Sequence, residues 1–206
     1  MARTPSSRNW LRQHVNDPYV RQARAEGMRS RAAYKLQQIA ARDRLFSPGM
    51  TVVDLGAAPG GWSQVAARAV GPAGRVYALD VLEFPPMPGV VPLRGDFQDD
   101  ATVLELERRL EGQRVDLVLS DMAPNMSGVA AVDQARAIAL AECALEFALK
   151  HLKPQGKFLV KTFHGAGFEA FLRMMRQRFQ RVVVRKPDAS RSRSSEVYLL
   201  GAGLKA

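Results

Sequence analysis

A glycine-rich turn between a predicted strand and a predicted helix constrains the fold of this chain more than any other feature. The segment VVDLGAAPGGWS covers residues 52–63, and its β-branched start predicts a strand over 51–55. The turn GAAPGG leads into a helix that we predict from about Trp62 to Val70. Glycine lets the backbone turn sharply and lets a ligand approach it closely. We therefore expect an α/β sheet with a binding site at this turn.

The spacing of the glycines disfavours the two common phosphate-binding turns. It reads G-x-x-x-G-G, whereas the dinucleotide fingerprint reads G-x-G-x-x-G and the phosphate loop reads G-x-x-x-x-G-K-[ST]. A ligand that carries a ribose, an adenine and a sulfonium group fits this turn better than a nucleotide phosphate does.

Strands and helices alternate along most of the chain. We predict strands over 51–55, 75–80, 90–96, 115–121 and 157–163, with helices over 62–70, 99–111, 132–151 and 168–179 between them. Two further strands, 181–186 and 196–202, have no helix between them and should pair antiparallel at one edge. Because such alternation favours a parallel sheet with helices on both faces, we predict an α/β, Rossmann-like fold. Its seven strands should be mostly parallel, with an antiparallel last strand.

The length of 206 residues suits one domain of this kind. We predict the domain over residues 31–206, preceded by a basic arm over residues 1–30 that forms about one helical turn and is ordered partly by its partner. A helix should begin the domain, with Ser30 as its N-cap and Ser47-Pro48-Gly49 as its end.

Four predicted strands end at or close to an aspartate: Asp54, Asp80, Asp96 and Asp121. One such residue is usually a helix N-cap, but four in succession are hard to explain as caps alone. Asp80 follows Asp54 at nearly the spacing of an acid that accepts hydrogen bonds from ribose hydroxyls. A carboxylate at Asp96 could accept from an adenine amino group.

Lys161 lies inside the apolar strand FLVKTF, and lysine is rarely buried without a partner. It could protect an edge strand against aggregation. Alternatively, because Asp121 and Lys161 end consecutive strands, the two can meet at the top of the sheet. There they could orient a hydroxyl for attack on an electrophilic methyl group.

The positive charge is concentrated in two segments of a chain whose formal net charge is +10. Residues 1–30 contain six arginines against Asp17 and Glu26, and residues 173–193 contain seven arginines and Lys186 against Asp188. One such segment would usually be a solubilising surface. Two of them favour contacts with nucleic-acid phosphates.

Several other classes of protein are disfavoured. Cys143 is the single cysteine, so no internal disulfide can form, and its apolar helical surroundings indicate core packing rather than a catalytic thiol. His14, His151 and His164 lack metal-ligand spacing, so we expect no metal site. The chain has no apolar run of membrane-spanning length and no signal-peptide pattern, so we expect a cytoplasmic protein that is monomeric.

Five segments of the chain together resemble the FtsJ-like family of ribose 2′-O-methyltransferases, and in particular its bacterial members that methylate a uridine of 23S ribosomal RNA. They are RSRAAYKL, DLGAAPGGWSQ, SDMAPNMSG, VKTFHGAGF and RKPDASRSRSSEVYLL, and the likeness runs from about Asn16 to Leu200. The resemblance implies S-adenosylmethionine as cofactor and ribosomal RNA, within the large ribosomal subunit, as partner.

The resemblance also implies roles for particular residues. A catalytic tetrad falls on Lys35, Asp121, Lys161 and Glu196, and the cofactor contacts fall on Gly60, Trp62, Asp80, Asp96 and Asp121. From the residues alone, Lys35 would be a solvated helix lysine and Glu196 a charge at a strand start. Two alternatives stay open: a methyltransferase acting on transfer RNA or an mRNA cap, and a non-catalytic ribosome-assembly factor with the same fold.

Overall fold

A computed structural model describes residues 17–205 of the chain. The helices are α1 (Pro18–Ala25), α2 (Ala32–Asp43), α3 (Gly61–Val70), α4 (Asp100–Leu110), α5 (Ala130–His151) and α6 (Phe168–Arg178). The strands are β1 (Thr51–Leu55), β2 (Arg75–Asp80), β3 (Val90–Arg94), β4 (Val115–Ser120), β5 (Leu152–Phe163), β6 (Phe179–Arg185) and β7 (Glu196–Leu204).

The seven strands form one sheet in the order β3-β2-β1-β4-β5-β7-β6. Strands β1 to β5 run parallel to one another, whereas β7 runs antiparallel to both β5 and β6. The predicted fold is therefore confirmed, including the antiparallel last strand. That strand lies inside the sheet, between β5 and β6, so that β6 forms the edge.

Two apolar layers cover the two faces of the sheet. Helices α1, α2 and α3 pack on one face, through residues such as Ala23, Leu36 and Val65. Helices α4, α5 and α6 pack on the other, through residues such as Leu106 and Phe171. Side chains alternate between these faces along each strand, so successive buried strand residues pack against opposite helix layers.

Helix α2 is shorter than predicted, and Ser30 is not its N-cap. The helix begins after Arg31 and ends where Arg44 adopts a left-handed conformation with φ 48°, before the predicted Ser47-Pro48-Gly49 stop. The Ser30 side chain instead packs against Gly61, where an added Cβ would lie 2.2 Å from Ser30 Oγ. Arg31 is at the N-cap position instead, and the buried Ser30 hydroxyl has no hydrogen-bond partner among the described residues.

The described part of the predicted basic arm is more structured than expected. Asp17 caps α1 by accepting a hydrogen bond from Tyr19 N at 3.0 Å, and Val20 and Ala23 are buried. The rings of Tyr19 and Tyr34 lie 5.5 Å apart, which joins α1 to α2. Residues 17–30 thus pack on the domain, whereas residues 1–16 of the predicted arm lie outside the described residues.

The environment of the single cysteine and the polarity of the helices bear on two of the expectations from the sequence. The half-buried Cys143 packs against the core cluster under α5, and burial raises the pKa of its thiol, which agrees with a packing role. No helix within residues 17–205 is long and apolar enough to cross a membrane.

Candidate active site

Strand alternation and one helix bring the predicted tetrad together. Lys161 and Glu196 lie on the sheet face that α2 covers, and α2 carries Lys35. Lys161 Nζ lies 3.1 Å from Asp121 Oδ1 and also donates to the backbone carbonyl of Asp121. Lys35 Nζ lies 2.7 Å from Glu196 Oε1. All four predicted residues therefore meet, as two lysine–carboxylate pairs.

Tyr198 joins these two pairs and was not predicted. Its buried hydroxyl lies 3.2 Å from Asp121 Oδ1 and 3.2 Å from Glu196 Oε1. Burial and the two nearby carboxylates raise the pKa of Tyr198 well above 10, so the hydroxyl keeps its proton and donates to one carboxylate at a time. The spacing Glu-x-Tyr at the start of β7, which puts both side chains on one face, is the sequence signal that could have identified it.

The charge of Glu196 is stabilised by its neighbours rather than by water. Burial alone would raise the pKa of this carboxyl, but the charge and hydrogen bond of Lys35 and the charge of Lys161 lower it below 4.5. Ser190 Oγ also donates to Glu196 Oε1, at 2.9 Å. Glu196 is therefore an anion near neutral pH, in contact with Lys35.

A cavity of about 370 Å³ opens beside Asp121, at the carboxyl ends of the parallel strands. It lies where the strand order reverses between β1 and β4, which is the usual ligand site of such sheets. Asp80, Asp96 and Asp121 all line it, together with Gly56 of the glycine turn. Three of the predicted cofactor residues are thus brought together in one cavity.

The carboxylates of Asp80 and Asp96 also hold the backbone that surrounds the cavity. Asp80 accepts hydrogen bonds from Ala58 N in the glycine turn and from Leu82 N, each at 2.8 Å. Asp96 accepts from Gln98 N at 2.9 Å. Because a carboxylate oxygen can accept more than one hydrogen bond, both side chains can still accept from a ligand.

The structure places the side chain of Trp62 outside this cavity. Trp62 is 2% exposed, and its Nε1 donates to Ala32 O at 2.9 Å, so the indole packs α3 against α2. Gly60 is the N-cap of α3 with φ 98°, and an added Cβ there would lie 2.8 Å from Met87 Cε and 3.0 Å from Arg29. Contacts of Gly60 and Trp62 with the cofactor remain predictions.

Asp54 is buried beneath the glycine turn. Its Oδ2 accepts a hydrogen bond from Ser63 Oγ at 2.6 Å, which ties β1 to α3. Burial raises the pKa of Asp54 from 3.8 to about 7, and the charges of Asp121 and Asp80 act in the same direction. Asp54 therefore holds a proton through most of the acidic range.

Within residues 17–205, no cluster of three or more His, Cys, Asp or Glu residues could hold a metal ion.

The sheet order and the cavity at its switch point define a Rossmann-like fold, which solved methyltransferases share. A Plasmodium falciparum protein assigned as a ribosomal RNA methyltransferase superposes with a TM-score of 0.76 at 24% identity, covering 85% of this chain and 98% of that one. A Streptococcus mutans protein assigned as a methyltransferase, solved with SAH, superposes with a TM-score of 0.52 at 12% identity over 84% of this chain and 96% of its own. At these identities the likeness establishes the fold.

Sequence comparison identifies the family. Residues 28–204 match the family model for FtsJ-like methyltransferases. The protein "Ribosomal RNA large subunit methyltransferase E" of Azoarcus sp. (strain BH72) is 61% identical over 205 residues, covering 100% of both chains. The chain belongs to the FtsJ-like methyltransferase family and is a methyltransferase, which confirms the predicted resemblance.

The buried Asp54 carboxyl predicts a specific dependence of stability on pH. The folded protein keeps this proton up to about pH 7, whereas the unfolded chain releases it near 3.8. The stability contributed by this group is therefore complete below about pH 4. It is lost as the pH rises to about 7, by up to about 1.4 kcal/mol per pH unit.

Asp54→Asn has no proton to lose, so its free energy of unfolding should lack this decline between about pH 4 and 7. Urea unfolding at a series of pH values measures the difference, and Asp100→Asn, at an exposed position of α4, should follow the wild type. Parallel curves for the wild type and Asp54→Asn would contradict the assignment.

Proposed function

We propose that this methyltransferase transfers a methyl group from S-adenosylmethionine to the ribose 2′-hydroxyl of a uridine in 23S ribosomal RNA of the large subunit. The observation that carries the proposal is the buried Lys161–Asp121 pair, whose Asp121 also lines the carboxylate-rich cavity. Asp121 thus lines the proposed cofactor cavity and also contacts Lys161, the residue that would hold the substrate hydroxyl. The name of the Azoarcus relative supports large-subunit ribosomal RNA as the substrate.

The cavity suits the proposed cofactor. Its volume of about 370 Å³ falls in the usual range of small-ligand sites. Asp80 could accept hydrogen bonds from ribose hydroxyls, Asp96 could accept from the adenine amino group, and Asp121 would lie near the cationic end of the ligand. The SAH found in the Streptococcus mutans structure supports this class of ligand. When bound, S-adenosylmethionine supplies an electrophilic methyl group.

Lys161 is suited to hold the substrate oxygen. Lys161 Nζ donates to the backbone carbonyl of Asp121 and forms an ion pair with Asp121 Oδ1 at 3.1 Å. Because a protonated lysine has three N–H donors, it keeps a donor for the ribose hydroxyl. As a cation, Lys161 would orient this oxygen and stabilise its developing negative charge, and as a neutral amine it could take the hydroxyl proton.

The second pair extends the site on the side away from the cofactor cavity. Lys35 and Glu196 lie 2.7 Å apart, and within residues 17–205 the Tyr198 hydroxyl provides their hydrogen-bond connection to Asp121. We assign them the placement of the substrate ribose, with Lys35 as a donor and Glu196 as an acceptor. Two complete lysine–carboxylate pairs support catalysis over a role as a non-catalytic assembly factor.

Lys161→Ala should lower the single-turnover rate of methyl transfer to ribosomal RNA by roughly 10²- to 10⁴-fold, the usual contribution of an acid–base group. The variant should stay folded and should still bind S-adenosylmethionine in calorimetry, because Lys161 does not line the cavity. Lys153→Ala is the matched control, since Lys153 lies on the same strand with a side chain 47% exposed. A Lys161→Ala variant that keeps more than about a tenth of the wild-type rate would contradict the proposed role.

The structure divides the basic residues into two groups. Arg21 and Arg24 on α1, like Arg191 and Arg193 near β7, are exposed and could contact phosphates, although Arg191 Nε also lies 3.9 Å from Asp17 Oδ2. Arg29, from the same predicted arm, instead donates to the carbonyl oxygens of Pro85 and Pro86. Arg185 forms a two-pronged ion pair with Asp43, at 2.6 and 2.7 Å. We propose that RNA phosphates bind the exposed group, while Arg29 and Arg185 hold the fold.

Replacing Arg21 and Arg24 together by alanine should weaken RNA binding and leave the affinity for S-adenosylmethionine unchanged. The slope of log affinity against log salt should become shallower by about 1.4 for a single-stranded site, because each lost phosphate contact removes about 0.7. Arg108 and Arg109 supply a control of equal charge, since both pair with Glu105 at distances of 2.7 and 2.8 Å. Equal losses of RNA affinity in the two double variants would show that net charge alone matters.

A further inference from the structure

A serine outside the predicted tetrad touches one of its members. Ser190 lies in the loop before β7, is 7% exposed, and donates from Oγ to Glu196 Oε1 at 2.9 Å. We infer that Ser190 is a positioning residue that fixes the Glu196 carboxylate against Lys35 for placement of the substrate ribose. This inference rests on the proposed function of the tetrad.

Glu196 needs such a restraint because its carboxylate is at the end of a flexible side chain whose last torsion is broadly distributed. Three donors meet at Oε1: Lys35 Nζ at 2.7 Å, Ser190 Oγ at 2.9 Å and Tyr198 Oη at 3.2 Å. Among the described residues no hydrogen bond ends at Oε2. Fixing Oε1 in this way leaves Oε2 in a defined position as an acceptor for a substrate hydroxyl.

The backbone at Ser190 is itself held by α2. Ala189 O accepts from Arg31 Nη2, and Ala189 N donates to Gln38 Oε1 at 3.0 Å. Arg31 is anchored in turn, because its Nη1 lies 3.0 Å from the buried carboxylate of Asp17. Hydrogen bonds to Arg31 and Gln38 thus hold Ala189, the residue before Ser190, in place.

The two residues that hold Ala189 lie on the same face of α2 as Lys35 of the tetrad. Arg31, Lys35 and Gln38 follow the spacing i, i+4, i+7, which lines up side chains along one face of a helix. Lys35 lies on α2, and Ser190 lies in the basic loop between β6 and β7, next to the residue that α2 holds. Both side chains therefore reach Glu196 from positions that α2 supports.

That loop also links the site to the proposed RNA surface. Arg191 and Arg193 follow Ser190 directly and are exposed. Phosphates bound at these arginines would hold the segment whose serine orients Glu196. Substrate binding and alignment of the carboxylate would then reinforce each other.

The first test is the single-turnover rate of methyl transfer with saturating cofactor and ribosomal RNA. Ser190→Ala should lower it roughly tenfold, because a hydrogen bond to a charged group is lost. The variant should remain folded at the assay temperature, and its affinity for S-adenosylmethionine should be unchanged. Ser190→Thr keeps a hydroxyl and should recover most of the rate, while Ser192→Ala, at an exposed position of the same loop, should match the wild type.

A double-mutant cycle shows whether Ser190 acts through Glu196. If it does, Ser190→Ala should have no further effect in a Glu196→Gln background, so the two losses should not add. Additive losses, a wild-type rate for Ser190→Ala, or a Ser190→Thr variant as slow as Ser190→Ala would each overturn the inference. If Glu196→Gln transfers the methyl group slowly and Ser190→Ala transfers it at the wild-type rate, this inference is wrong while the proposed role of Glu196 stands. A Glu196→Gln variant as fast as the wild type defeats the proposed role of Glu196, and this inference with it.

Discussion

The arrangement of the site depends on the need of buried ammonium groups for carboxylate partners. Lys161 is surrounded by core residues of β5, and an uncompensated charge there would be strongly destabilising. Asp121 supplies the compensating charge, and Glu196 does the same for Lys35. When both lysines are protonated, the cluster contains two cations and two anions and is neutral as a whole. Each charge is held by its partner in the position that catalysis would use.

The parallel sheet determines where this cluster forms. Asp121 follows β4 directly, at the switch point where the cavity opens, and Lys161 is carried by the neighbouring strand β5. The antiparallel insertion of β7 then brings Glu196 and Tyr198 beside Lys161, through the register that pairs Lys161 with Tyr198. The cofactor cavity and the proposed substrate site therefore share Asp121 and lie on either side of it.

Local patterns were enough to predict the sheet, because strand and helix periodicities and the glycine turn are encoded in short segments. Lys161 and Asp121 were identifiable in the same way, from a lysine in an apolar strand and an acid at a strand end. Lys35 and Glu196 were not, because each looks like an ordinary surface charge until the fold pairs them, and only the resemblance pointed to them. The sequence alone did not reveal the roles of Tyr198 and Ser190, or that Arg29 donates to backbone carbonyls of the domain. These roles depend on contacts that form only in the folded protein.

The proposed site should deliver the methyl group to a ribose oxygen of ribosomal RNA rather than to a base. Incubation of the protein with large-subunit ribosomal RNA and S-adenosylmethionine labelled in its methyl group, followed by alkaline hydrolysis of the RNA, tests this directly. Because a 2′-O-methyl group blocks cleavage of the adjacent phosphodiester, the label should be recovered in an alkali-resistant dinucleotide that contains 2′-O-methyluridine. Label recovered in mononucleotides, as base methylation would give, would contradict it.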